Sequence, residues 1–333
     1  MMNGLNKKRV LITGATGFVG SALAAYFYDK GMIIRATARN SDHVVVKNNP
    51  HYEWTFCDLT TISLDSTLCN DVDFVLHTAG YAHASKKADP EFQKKHQSIN
   101  HYATVNLAKL AEKSGVKRFI FFSSVKAVAD VSTSIDETWT AEPADPYGSA
   151  KRAAEDVLLT LENMEVVILR LSLVYGVGWK GNLQTLLKAI DKKIFPPLPT
   201  LNNQKSMVSL ADVCLATECA LTATLKKQRL FIVTDGQTYS TDQIDRAMRS
   251  ALGQKIPQWS MPLWLWGLLG KIGDGIQKLT GIALPINTEA LEKLFGSACY
   301  RSIYIEDELG FVPQQTFSDI IPDIVSSYRN RTL

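Results

Sequence analysis

The chain has 333 residues, 46% of them hydrophobic and 21% charged, with a formal net charge of +3. That is chain enough for a large core and two lobes, with the polarity of an ordinary globular protein. So small a positive charge excludes nucleic acid as an expected partner. The five cysteines form no CxxC pair and no metal-ligand spacing, so reduced thiols and no metal site are expected. The opening MMNGLNKKRVLIT lacks the apolar stretch of a signal peptide, and no apolar run is long enough to span a bilayer. A cytoplasmic protein without a transmembrane span is the resulting expectation.

Taken in chain order, the first half alternates strand-like and helix-like segments. A strand over Arg9–Thr13 leads into TGATGFVG (Thr13–Gly20), and a helix follows over Phe18–Lys30. Glycines 14, 17 and 20 suit a chain that turns sharply and brings its backbone against a pyrophosphate. Gly14 allows the tight turn, Gly17 the approach of the phosphates, and Gly20 the close packing of the helix. The helix N-terminus then offers unpaired N–H groups and a positive dipole end to the anion. Further strands are expected at Ile33–Ala38, Trp54–Cys57, Phe74–His77, Phe119–Ser123 and Val166–Leu171, with helices at Phe92–Ser114 and Tyr147–Asn163. The alternation predicts an α/β fold, a doubly wound parallel sheet of Rossmann-like type that binds ligands beyond its C-terminal strand ends.

After Gly176 the pattern becomes irregular. Lys193–Asn203 (KIFPPLPTLNN) reads as a proline-rich loop, Leu230–Val233 as a strand returning to the sheet, and the chain from Thr238 as mainly helical. Residues 1–177 and 207–236 are assigned on this pattern to a dinucleotide-binding domain. Residues 178–206 and 237–333 are assigned to a smaller, mainly helical substrate-binding lobe.

Tyr147 and Lys151 stand four apart in PYGSAKR at the start of a helix, which puts phenol and ammonium on one face. An ammonium beside a phenol stabilises phenolate and draws its pKa from about 10 toward neutrality. Such a tyrosine exchanges a proton with a substrate hydroxyl or carbonyl while hydride moves to or from the same carbon. Ser123-Ser124 ends a strand between the glycine turn and this pair. Ser124 is placed to hydrogen-bond the reacting oxygen, and a strand-end cap is the competing reading for either serine.

With these motifs the chain resembles, over nearly its whole length, the extended short-chain dehydrogenase/reductase superfamily in its sugar-nucleotide epimerase/dehydratase/reductase branch. TGATGFVG resembles the family's phosphate turn, which implies cofactor contacts from Gly14, Thr16, Gly17, Phe18, Val19 and Gly20. Asp58, followed by Leu59 in FCDL, resembles the acid that bonds the adenine amine. His77-Thr-Ala79-Gly80 resembles the segment lining the nicotinamide side. Asn100, in SINHYATVNL, resembles the helix asparagine that supports the active site, and is counted among the cofactor contacts. Ser124, Tyr147 and Lys151 match the catalytic three, with Lys151 also bonding the nicotinamide ribose. The serine motif SSVKAVAD lacks the aromatic and glycine that commonly follow. Gly181-Asn182-Leu183 is similar to the family's sugar-nucleotide contact through Asn182. Lys205 stands where many relatives have an arginine for the substrate diphosphate, supplying charge without the bidentate fork. The resemblance also implies a homodimer built through the helices at 92–114 and 147–163.

The end of the second strand decides between the two nicotinamide cofactors, because an acid there bonds the ribose hydroxyls and repels a phosphate. Ala38 occupies that position and Arg39 follows, placed to pair with a ribose phosphate; Asp42 is too far along to replace the acid. NADP(H) is therefore favoured, with NAD(H) as the alternative. The same three residues serve a 4-epimerase, which removes and returns one hydride, and a 4-keto-sugar reductase, which delivers it once. The missing acid tilts the expectation toward the reductase, acting on a nucleotide sugar in surface polysaccharide precursor synthesis. The alternatives are a 4-epimerase of a UDP-sugar or of a polyprenyl-diphosphate-linked N-acetylhexosamine, a reductase of a hydrophobic non-sugar ketone, and a non-catalytic dinucleotide sensor. Finally, MPLWLWGLLG (261–270), followed by the more polar 271–278, reads either as a lobe helix packing on its neighbours or as a helix at the inner face of a membrane.

Overall fold

The structure is a computed structural model that describes residues 4–39, 51–61, 64–82, 90–128, 134–143, 145–280 and 286–330. Its strands are β1 (Arg9–Thr13), β2 (Ile33–Ala38), β3 (Glu53–Phe56), β4 (Phe74–His77), β5 (Arg118–Ser124), β6 (Glu165–Leu171), β7 (Leu173–Tyr175), β8 (Lys205–Ser209), β9 (Leu230–Val233) and β10 (Thr238–Tyr239). Among the described residues they form a seven-stranded sheet in the order β3-β2-β1-β4-β5-β6-β9 and a three-stranded one in the order β10-β8-β7. Every pairing in the larger sheet is parallel. The fold is thus the doubly wound α/β sheet that the alternation predicts.

The central strands are continuous apolar runs because helices cover both faces. Side chains alternate between two cores. Val10, Ile12, Ile120 and Phe122 pack with Leu23 and Phe27 on one face. Leu11, Phe119 and Phe121 pack with Leu107 and Leu158 on the other. The chain leaves β1 toward β2 and β3, then returns through β4 on the other side of β1. This reversal opens a crevice at the C-terminal ends of β1 and β4, where such sheets bind ligands.

The structure departs from the expected elements in three places. The helix expected at 92–114 begins at Pro90 and is interrupted by a π-helical turn, Gln97–Tyr102, before resuming as Ala103–Lys113. The helix from Pro146 stops at Leu158, and Arg229 reaches across to satisfy the carbonyls of Leu159 and Leu161 beyond its end (2.8 and 3.4 Å). The irregular stretch after Gly176 holds two short strands of the second sheet, β8 and β10, which with β7 just before it pair across long loops that leave no local signature. Lys193–Asn203 is a loop as expected. Behind the second sheet, Trp179, Leu183 and Phe317 belong to a separate apolar cluster, and Leu198, Trp266 and Leu291 to another.

The helix Pro146–Leu158 is tied to the sheet by charge as well as by packing. Buried Glu155 pairs with buried Arg170 on β6 (2.6 Å) and accepts the hydroxyl of Ser123 on β5. Removing one member of such a pair strands the other charge in a low-dielectric interior. Glu155→Ala should therefore lower unfolding stability by about 3–5 kcal/mol, read from urea midpoints. A loss under about 1 kcal/mol would show that the pair does not anchor this helix.

Candidate active site

The glycine turn is built by backbone crowding. Gly14 adopts φ +69°, and a Cβ there would sit 2.7 Å from the Ala79 nitrogen. A Cβ at Gly20 would overlap the Gly14 carbonyl oxygen. Thr78 donates its hydroxyl to the Thr13 carbonyl (2.6 Å), joining the ends of β1 and β4 directly over the turn. Gly17 precedes the helix Phe18–Asp29, and no side chain caps its first turn. The amides of Phe18, Val19 and Gly20 are therefore the free donors of a helix N-terminus, with no acid in the first turn to repel an anion. Half-buried Thr16 and exposed Gly17 sit beside them. The cradle that any side chain at 14 or 20 would fill fits a dinucleotide pyrophosphate.

At the outer end of the crevice, exposed Arg39 follows buried Ala38 at the end of β2. Exposed Asp58 lies within reach of its charge. Bonds from Thr60 hold the Asp58 carboxyl below its ordinary range, with Arg39 adding to the effect. Leu59 turns inward to the core beneath. Asp42 lies outside the described residues.

At the inner end, Ser124 closes β5 and its Oγ accepts from the Lys126 amide (3.2 Å). The Ser124 hydroxyl lies near enough to the Tyr147 phenol to oppose the rise of its pKa. Asp145 caps the helix that carries the tyrosine, accepting from the Gly148 amide at 2.8 Å. A Cβ at Gly148 would overlap the Lys126 carbonyl, so only glycine lets this helix press against the turn after β5. Lys151, one helical turn on, is buried and donates to the Phe122 carbonyl (2.9 Å) over the Phe121 ring (4.5 Å). Its Nζ also lies 3.6 Å from where a Gly80 Cβ would stand. Ser124, Tyr147 and Lys151 therefore come together at the C-terminal edge of the sheet, next to Gly80. The paired serines diverge because successive strand residues face opposite ways. Ser123 goes to Glu155, Ser124 to Tyr147, and the following Val125 into an apolar cluster.

The electrostatics correct one expectation. Burial pushes the Tyr147 phenol up to about 12, with the Ser124 hydroxyl opposing, rather than toward neutrality. Burial brings the Lys151 ammonium down to about 8, with Glu155 opposing. Desolvation is the largest cause of both shifts, and the Lys151 nitrogen is bonded to the Phe122 carbonyl.

Three other expected residues have partners within the chain, and a fourth is exposed. His77 is no wall of the cleft: it is fully buried, with Nδ1 2.7 Å from the Thr13 hydroxyl and Nε2 2.9 Å from that of Thr104. Thr104 spends its own proton on the Asn100 carbonyl (3.0 Å), so Nε2 of His77 carries the hydrogen. Burial holds this imidazole down to about 3. Asn100 is likewise buried, gripping the Tyr81 backbone through both its oxygen (2.8 Å) and its amide nitrogen (2.9 Å). It positions the segment after Gly80. Lys205 donates to the carbonyls of Lys293 and Gly296 (both 2.9 Å), capping the helix Thr288–Phe295 instead of facing a diphosphate. Asn182 is exposed at the start of the helix Asn182–Asp191, after Gly181 in a left-handed conformation. Sequence reasoning missed Thr78 and Tyr81, whose roles are purely tertiary. It also missed Glu155, whose spacing of four from Lys151 was a readable signal.

The depressed Lys151 sets a pH signature. Its folded value near 8 lies below the ordinary 10.5, so between those limits the unfolded chain binds the extra proton and stability rises with pH. Below pH 8 the buried charge weighs against folding by on the order of 3 kcal/mol. Lys151→Met should raise stability at pH 7 and flatten the rise between pH 8 and 10.5, in urea titrations at matched pH without added ligand. A variant less stable than the parent at pH 7 contradicts this account.

Comparison with known proteins agrees with this geometry. Residues 10–232 match the model of the NAD dependent epimerase/dehydratase family. The chain is 32% identical over 321 residues to a UDP-glucose 4-epimerase of Vibrio cholerae, covering 94% of this chain and 93% of that one. It is 26% identical to an N-acetyl-alpha-D-glucosaminyl-diphospho-ditrans,octacis-undecaprenol 4-epimerase of Escherichia coli O157:H7, covering 93% and 92%. Among solved structures it resembles the Bordetella bronchiseptica enzyme WbmG in complex with NAD and UDP, with TM-score 0.74, 20% identity and coverage of 98% and 96%. A glycine cradle over an uncapped helix, matched along two thirds of the sequence by the family model, places this chain in the NAD dependent epimerase/dehydratase family.

Proposed function

We propose that this protein is a 4-epimerase of a nucleotide-linked sugar, with UDP as the carrier. The observation that carries the reading is the gathering of Ser124, Tyr147 and the Lys151 ammonium at the sheet edge next to Gly80. The 32% relative along almost the whole chain supports epimerisation over one-way reduction.

Bound nicotinamide supplies the hydride acceptor and donor. The turn at Gly14, Thr16, Gly17 and Gly20, with the amides of Phe18 and Val19, holds the pyrophosphate. Asp58 and Leu59 receive the adenine, and Ala79 and Gly80 line the nicotinamide side. Lys151 bonds the ribose hydroxyls and, as a cation, favours the Tyr147 phenolate. Tyr147 takes the proton of the sugar C4 hydroxyl and returns it after the ring has turned, while Ser124 holds the same oxygen. Asn182, at an exposed helix N-terminus, contacts the sugar nucleotide. The protein works as a cytoplasmic homodimer paired through the helices that carry Asn100 and Tyr147.

A second reading, a 4-keto-sugar reductase using NADPH, is favoured by one observation. Ala38 stands where an acid would exclude the ribose phosphate, and exposed Arg39 is next to it. A polyprenyl diphosphate in place of the nucleotide is favoured by the second relative.

Heat release of the cofactor from purified protein separates the two reactions. Stoichiometric NAD(H) is expected for the epimerase; an empty site that takes up NADPH overturns it in favour of the reductase. Tyr147→Phe should lower kcat by about 10²–10⁴-fold while leaving cofactor affinity within about twofold, measured by steady-state kinetics and calorimetry. Equal loss of both would mean that the phenol is structural.

A further inference from the structure

The helix Leu263–Thr280 touches the rest of its lobe along one narrow stripe. Its buried positions are Trp266, Gly270 and Gly273. Gly270 lies against Leu291, Gly273 against the Ile286 carbonyl, and the Trp266 ring packs between Phe195 and Phe295. At 3.6 residues per turn these three fall within an arc of roughly 60°. The opposite side is apolar and open to solvent. Trp264, Leu268, Ile272 and Ile276 recur every fourth residue, exposed at 69, 49, 48 and 37%, and Leu279 joins them at 88%. A helix covering a soluble lobe would carry polar residues there.

Charge along the edge of this face is net basic. Lys271 and Lys278, both exposed and seven residues apart, lie along one border. Asp274 is the acid in this helix; it accepts the amide and hydroxyl of Thr288, which hold it ionised, and it is felt by Lys278. Beyond the N-terminal end, exposed Trp259 rims a cavity of about 630 Å³ lined also by Lys193 and Lys255. A second copy of this chain would bring together lysine borders that outnumber the one carboxylate of this helix. A surface of lipid phosphates matches both the apolar face and its basic border.

We propose that this helix docks the protein on a bilayer containing anionic phospholipid. Trp264, Leu268, Ile272, Ile276 and Leu279 enter the boundary between headgroups and acyl chains, and Lys271 and Lys278 meet phosphates. The helix lies in the plane of the surface: among the described residues none is long and apolar enough to cross a membrane. This inference stands whichever sugar the site takes.

The test is flotation of the full-length protein with phosphatidylcholine vesicles, with and without phosphatidylglycerol. Binding to the anionic vesicles is expected, at least about tenfold weaker on phosphatidylcholine alone and lost progressively with salt. Leu268→Asp with Ile272→Asp should abolish flotation without moving the thermal unfolding midpoint, since neither side chain is buried. Lys271→Glu with Lys278→Glu should weaken binding to anionic vesicles by about fivefold or more per lysine while keeping the apolar face. Failure to float with anionic vesicles at low salt overturns the proposal. So does a concentration-dependent dimer in sedimentation velocity that the two aspartates dissolve, because a second copy then covers the face.

Discussion

Desolvation of the Lys151 ammonium is the constraint around which this site is organised. An amine sealed beneath the C-terminal edge of a parallel sheet has lost water and holds the Phe122 carbonyl and the face of Phe121 in exchange. Those contacts are weaker company than a carboxylate, so the amine titrates well below its ordinary value. Its counterion, Glu155, is a helical turn away and already committed to Arg170 and Ser123. The charge is held close to the sheet edge without being quenched there, as the proposed stabilisation of a transient phenolate requires.

Positions around that charge are secured by buried polar chains whose direction is fixed by proton count. The Ala79 amide meets the Thr13 hydroxyl, which meets His77; the imidazole then donates to Thr104, which donates to the Asn100 carbonyl. This chain links β1, β4 and the π-helical turn, so the segment carrying Gly80 is held from two sides. A π-turn adds a residue to a helix and rotates the turns beyond it. Here it lets the Asn100 side chain grip the Tyr81 backbone while the rest of the helix continues to pack on the sheet. A fully satisfied buried network is rigid, and a misplaced acid or base loses most of its effect.

Much of the architecture was legible because it rests on local rules. Continuous apolar runs bounded by turn residues marked the strands of the large sheet, and the spacing of Tyr147 and Lys151 placed both on one helical face. The glycine turn was readable for the same reason, since a left-handed φ and an excluded Cβ are properties of single residues. The partners of His77, Asn100 and Lys205 were not legible, because a polar side chain next to a motif says nothing about which way it points. His77 faces inward from a strand end, Asn100 bonds a backbone loop, and Lys205 finds helix carbonyls nearly ninety residues on. The outward apolar face of the 263–280 helix was visible as composition, yet its orientation needed the glycines that bring its other side against Leu291 and Ile286.

By itself the sequence determined the sheet, its crossover order of strand and helix, the anion-binding turn, and the identity of the residues that gather at the strand ends. Those features arise from periodicity and backbone sterics, which act over a few residues. The tertiary structure alone decided which neighbours the second of the two adjacent serines meets, how far burial moves the phenol and the ammonium, and which polar groups are scaffolding. These depend on desolvation and on hydrogen-bond partners brought together from distant parts of the chain, and neither quantity exists until the chain has closed around them.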